Sequence, residues 1–213
     1  TPGGILHEVD TRLRPSGQSG LLTTSFDAFV EYQRGRAWTW EHQALVRARM
    51  VAGGESLRQR FSQLRREVLT RPRRRDELRE EVRRMRERMR RELGSGRRDA
   101  FDIKQDRGGI ADIEFMVQYG TLAGVQQYAG VLRYTDNIRL LDELERAGEL
   151  TTEQARILAD AYRHYRGLVH RLTLQEQSAR VAAETVEESR TAVIGVWNAL
   201  MESGSGTNAE ESG

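Results

Sequence analysis

The 213-residue sequence contains no cysteine, which excludes disulfide staples and thiolate catalysis. Its opening residues, Thr1-Pro2-Gly3-Gly4, have neither the charged nor the apolar segment of a secretory leader, and no apolar run approaches bilayer-spanning length. A cytoplasmic location is the expectation. An excess of one charge is also lacking: 34 Lys and Arg face 32 Asp and Glu, a formal net charge of +2, although the pI is about 9.2. Basicity so nearly neutralised permits a polyanionic partner without requiring one.

What is present is 38% hydrophobic and 31% charged residues, the balance of a surface-rich soluble chain. The length suits one ordinary core, or part of one domain followed by a helical one. The most informative stretch lies near the start. Read as a strand, alternation places Leu6, Glu8, Asp10, Arg12 and Arg14 on one face and His7, Val9, Thr11 and Leu13 on the other. Acids followed by arginines at two-residue spacing suit a solvated edge. They also suit a cleft holding a cation beside phosphate oxygens, because carboxylates bind hard ions and guanidinium forks match phosphate geometry. Pro15-Ser16-Gly17 ends the strand.

The rest reads as mostly helical. Leu21 to Thr24 could extend the sheet before Ser25 or Thr24 caps a helix beginning near Phe26 and ending at Gly35. A second helix is expected from about Thr39 to Val51. Trp38 and Trp40 at its start read first as core anchors, and His42, with no second catalytic group beside it, as a structural histidine. Arg47 and Arg49 could meet phosphates or pair with acids. Leu57, Phe61, Leu64 and Val68 form one apolar stripe, and Leu78, Val82, Met85 and Met89 another, with Pro72 between. Arg71-Pro72-Arg73-Arg74-Arg75 is the best argument for nucleic acid. The acids that follow favour a solvated helix pair first, an acidic docking partner second and nucleic acid third.

Gly94 to Arg98 reads as a flexible connection, and Phe101 to Lys104 as a strand. Gly108-Gly109 turns into a helix from about Ala111. Paired glycines there could offer backbone amides to an anion, though no G-x-x-x-x-G-K follows. Asp112 and Glu114, two apart on a helix, point in different directions and are not read as metal ligands. Further helices carry Phe115, Val117, Leu122 and Val125, then Ile138, Leu141 and Leu144. Thr151-Thr152-Glu153-Gln154 is a capping box opening a helix to about Gln175. His164 and His170, six apart, do not stack for metal binding. A last helix spans about Val186 to Met201, and Ser203 to Gly213 reads as a disordered tail.

Three runs in order, HEVDTRLRPSGQSG (7–20), AWTWEHQALVRAR (37–49) and FDIKQDRGGIADIEFMVQY (101–119), resemble signatures of bacterial glutamine synthetase adenylyltransferase. That family has two related nucleotidyltransferase halves, one removing and one attaching AMP. Pro15-Ser16-Gly17 and the sequence around Trp38 resemble the attaching, C-terminal half. The resemblance implies an α+β, mostly helical chain: the C-terminal part of a nucleotidyltransferase (DNA polymerase β-like) domain over 1–54, a helical bundle over 55–201 and a tail over 202–213. The 101–104 strand is expected to return toward the catalytic sheet.

By the same resemblance, the intact protein transfers AMP from ATP, with Mg2+, to a tyrosine of glutamine synthetase and responds to a PII signalling protein. Asp10 matches the third metal-binding aspartate, and Glu8 is a second candidate ligand. Lys104, on the FDIK segment, is a candidate nucleotide contact by the same resemblance, and Arg12 and Arg14 are candidates from their position on the face of Asp10. The family's glycine-serine turn followed by D-x-D does not occur in this sequence, which implies a chain inactive alone. The alternative is a non-catalytic helical module that docks glutamine synthetase or PII.

Overall fold

The computed structural model describes residues 14–15, 17–94 and 100–202. The expected strand with Glu8, Asp10 and Arg12, the 95–98 connection and the tail from Ser203 lie outside the described residues. The chain divides after Trp38 into two compact units.

In the first unit, Gly17 at φ 54° donates to the Arg14 carbonyl (2.8 Å), closing the turn expected from Pro15 and Gly17. Leu21 to Thr24 forms no strand. Helix α1 spans Phe26–Gly35 with Ser25 as N-cap, its hydroxyl accepting from the Ala28 amide at 3.2 Å, as the sequence pattern predicts.

The second unit is a helical bundle with one small sheet. Helix α2 spans Thr39–Arg47, α3 Glu55–Leu69 and α4 Arg75–Leu93. Strand β1 (Ala100–Asp102) leads to α5 (Ile110–Gly124), α6 (Asn137–Arg146) and α7 (Thr152–Leu174). Strand β2 (Arg180–Ala182) precedes α8 (Glu187–Trp197), which ends in a π-turn over Asn198–Glu202. β1 pairs antiparallel with β2, Phe101 opposite Val181. The strand near Phe101 is therefore present, with its partner in the same unit.

Helix α5 is the axis of this unit. Twelve of its fifteen residues are buried, and it packs against α2, α4, α6, α7 and α8. A helix apolar on every side is stable only when neighbours cover all of it. Leu140, Leu141 and Leu144 of α6, Leu158 of α7 and Val193 of α8 are fully buried around it, each contributing about 1.5–3 kcal/mol of transfer free energy. The Thr151 capping box is formed reciprocally with Gln154.

Two helix ends are fixed by arginines. Helix α2 stops at Arg47, before the expected Val51, because Arg65 donates to the carbonyls of Leu45 (2.8 Å) and Val46 (2.6 Å) and satisfies the orphan acceptors there. Arg73 does the same for α3, donating to Val68 (2.9 Å) and Leu69 (3.0 Å), where Pro72 forbids continuation. In α4 the buried row is Leu78, Val82 and Arg86. Arg86 thus takes a buried position in the expected apolar stripe, and Met85 and Met89 are only partly buried. Trp197 is buried, but Trp38, read as a core anchor, is 71% exposed.

Candidate functional site

The turn between β1 and α5 concentrates the polar chemistry of the bundle. It begins as an Asx turn in which Asp102 Oδ1 accepts from the amides of Lys104 and Gln105, both at 3.0 Å. Asp106 Oδ2 accepts from the Asp102 amide (2.8 Å). The amides of Ile110 and Ala111 donate back to the carbonyls of Ile103 (2.9 Å) and Lys104 (3.1 Å). The first amides of α5 are therefore spent inside the turn. The paired glycines serve the turn's shape and leave no anion cradle. Gly108 has φ +84°, and a Cβ there would lie 2.8 Å from Arg190; one on Gly109 would lie 2.6 Å from the Ile103 carbonyl.

Beneath the turn lies a buried ion cluster. Arg86 and Asp112 side chains are both 0% exposed. Arg86 Nε donates to Asp112 Oδ1 at 2.7 Å, Arg90 Nη2 donates to the same oxygen at 3.1 Å, and the Gly108 amide donates to Oδ2 at 2.7 Å. Arg86 Nη2 donates to the Gln105 carbonyl at 2.7 Å. The two guanidinium groups stack near Phe115 and Trp197, 5.9 and 5.8 Å from the ring centroids. Burial lowers the Arg86 pKa, and the Asp112 carboxylate opposes that shift. One carboxylate thus ties α4 to α5 and, through two peptide groups, to the turn.

The expected site residues fall into two groups. Glu8, Asp10 and Arg12 lie outside the described residues. Arg14 is half-buried, with Nε donating to the Gly20 carbonyl at 3.3 Å. Lys104 projects from the turn, exposed. Asp112 and Glu114 do diverge: Glu114 accepts from Arg47 (2.5 Å), Asn137 (3.3 Å) and Tyr162 (3.4 Å). Arg47 is therefore paired with an acid. His42, 8% exposed, faces Arg73 Nη2 at 3.4 Å, in keeping with a structural role. The arginine cluster is similarly engaged, with Arg74 on Glu77 (2.9 Å) and Arg75 bidentate on Glu149 (2.8 and 2.6 Å). Among the described residues no group of three or more His, Cys, Asp or Glu could hold a metal ion. No helix there is long and apolar enough to cross a membrane.

The sequence reading missed Arg86 and Arg90 and saw Asp112 only as a discarded ligand. One signal was available: Arg86 follows Val82 by four residues, in the buried register.

Two family models match successive stretches of the chain, separated by the junction of α3 and α4 within the second unit. Residues 76–186, from α4 to just before α8, match the family model described as GlnD PII-uridylyltransferase. Residues 1–64 match the model described as Glutamate-ammonia ligase adenylyltransferase. The chain is 53% identical over 202 residues to a protein of Nitrosococcus oceani, covering 95% of this chain and 21% of that one. It is 49% identical over 212 residues to one of Pseudomonas aeruginosa, covering 94% and 22%. Both are named bifunctional glutamine synthetase adenylyltransferase/adenylyl-removing enzyme. The chain belongs to this glutamine synthetase adenylyltransferase family and spans about a fifth of the length of these curated relatives.

Proposed function

We propose that this chain is part of an enzyme that transfers AMP from ATP to a tyrosine of glutamine synthetase, and that it comes from the attaching half. The observation that carries the reading is the 53% identity, over nearly the whole chain, with a relative bearing that name. In this reading residues 1–54 are the end of a nucleotidyltransferase domain of the DNA polymerase β-like kind, whose last helix, α2, packs within the second unit, and 55–201 are the remainder of the bundle. The tyrosine oxygen forms a bond to the α-phosphorus, the bond from that phosphorus to the bridging oxygen of the β-phosphate breaks, pyrophosphate leaves and the phenolic proton passes to solvent.

Asp10, with Glu8 second, is the candidate ligand for Mg2+, which when bound neutralises triphosphate charge. The described residues offer no alternative cluster for it. Arg12, Arg14 and Lys104 are the candidate nucleotide contacts, offsetting phosphate charge. In the longer protein, Asp10→Asn is expected to reduce AMP transfer by at least about a hundredfold, the scale of losing a group that acts in the transition state. Undiminished transfer removes Asp10 from the mechanism.

A second reading, a non-catalytic module that docks glutamine synthetase or a PII protein, is favoured by the match of residues 76–186 to the model named for a PII-modifying enzyme. The first reading also leaves the isolated 213-residue chain without transfer, so the second is tested by binding: affinity of this chain for glutamine synthetase or a PII protein supports the module, and no binding to either removes it.

A further inference from the structure

Of the 34 Lys and Arg residues, 33 are arginine; Lys104 is the one lysine in the sequence. Arginine makes the ion pairs described above, from Arg75 on Glu149 to Arg86 on Asp112. The planar fork suits a carboxylate, whereas an ammonium is a compact charge with three rotatable donors that can follow charge around a phosphoryl group. Among the described residues no counter-ion meets the Lys104 side chain, which is exposed.

The backbone beneath this lone ammonium is held far more tightly than a surface turn requires. Asp102 fixes the amides of Lys104 and Gln105. The Lys104 carbonyl accepts from Ala111. The Gln105 carbonyl accepts from fully buried Arg86, and the Arg107 carbonyl accepts from Arg190 at 3.1 Å. Gly108 is tied to Asp112. A flexible four-carbon stem gains affinity when its base is already in place, because less freedom is lost on binding.

We propose that Lys104 is a phosphoryl contact for a polyphosphate ligand, and that Asp102, Arg86 and Asp112 are positioning residues that present it. This deepens the nucleotide-contact reading of Lys104 and extends it to three residues that touch no ligand themselves.

The single lysine makes the test direct. The full 213-residue chain is acylated with limiting acetic anhydride, and modification of Lys104 is read by peptide mass against the N-terminal amine as internal reference. Pyrophosphate and ATP are the probes, with sodium sulfate at matched ionic strength and a glutamate-rich peptide as comparison arms. Pyrophosphate is expected to slow Lys104 acylation by the factor 1 + [L]/Kd, about threefold at twice the Kd, while the reference amine is unaffected. Protection equal in sulfate, protection by the peptide alone, or no protection overturns the proposal.

Asp102→Ala, which loosens the turn without entering the core, is expected to abolish the protection. Asp102→Asn, which keeps an acceptor for both amides, is expected to retain it. The Arg86→Met, Asp112→Leu double variant, if folded by circular dichroism, is expected to lose it. Full protection in Asp102→Ala removes the positioning role. The readout does not involve AMP transfer, so failure of the Asp10 assay and failure here are distinguishable.

Discussion

Helix α4 carries arginine–carboxylate pairs on two sides, and they do different jobs. Outward, Arg83 bridges Glu80 (2.9 Å) and Glu87 (3.1 Å), and Arg88 meets Glu92 (2.9 Å), all on partly exposed side chains. Each is a local pair at i,i+3 or i,i+4 spacing, screened by water and salt. Inward, Arg86 meets Asp112 of α5 with both side chains at 0% exposure. There the desolvation cost is large, and the pair is sustained by further bonds from Arg90 and Gly108. The same two residue types decorate a surface on one side and fix the relation of two helices and a turn on the other. What separates them is solvent.

The contrast can be broken most directly at Asp112. Asp112→Asn leaves the buried Arg86 without its counter-charge and is expected to cost about 3–5 kcal/mol in urea unfolding, with little change on adding salt. A cost no larger than that of an outward variant ends the distinction.

A second buried polar group sharpens it. Tyr165 is 0% exposed, and its hydroxyl has no hydrogen-bond partner among the described residues. Burial raises its pKa, since the tyrosinate would lack solvation. Above pH ~10, the ordinary phenol value, the unfolded chain releases this proton while the folded chain retains it. The unfolded state is therefore favoured, and Tyr165 contributes stability below that pH which is lost as pH rises further. Tyr165→Phe is expected to show a smaller fall in urea midpoint between pH 9 and pH 11 than the parent. An identical fall in both places the phenol in water.

The smallest effect belongs to the outward pairs. Glu87→Gln is expected to cost only about 0.2–0.5 kcal/mol, a difference that disappears in ~1 M salt. A larger, salt-resistant loss would mean that the outer face is also committed.

Elements whose signals are local were legible in sequence. Ser25 before Phe26, the Thr151–Gln154 box and the break at Pro72 each mark a helix end by chemistry within four residues. Strand β2 was not legible, because three residues are too few for alternation to register and its partner lies far upstream. The spacing from Val82 puts Arg86 in the buried register, but its partner was not legible because the carboxylate that permits its burial is 26 positions away. Trp38 failed in the opposite direction, since aromatic size argues for burial and the structure exposes it. Of the candidate site, Asp10 and Lys104 rest on family resemblance and Glu8, Arg12 and Arg14 on a shared strand face, whereas the count of one lysine in the sequence marks Lys104 without either.

The pairing of β1 with β2 sets Asp102 opposite Arg180, with α5, α6 and α7 all strung between them. Bringing together segments so distant along the chain is slow relative to local helix formation. The six-residue ladder joins two segments that no local signal brings together. The register that anchors the base of Lys104 is thus a product of assembly, written into no short stretch of residues.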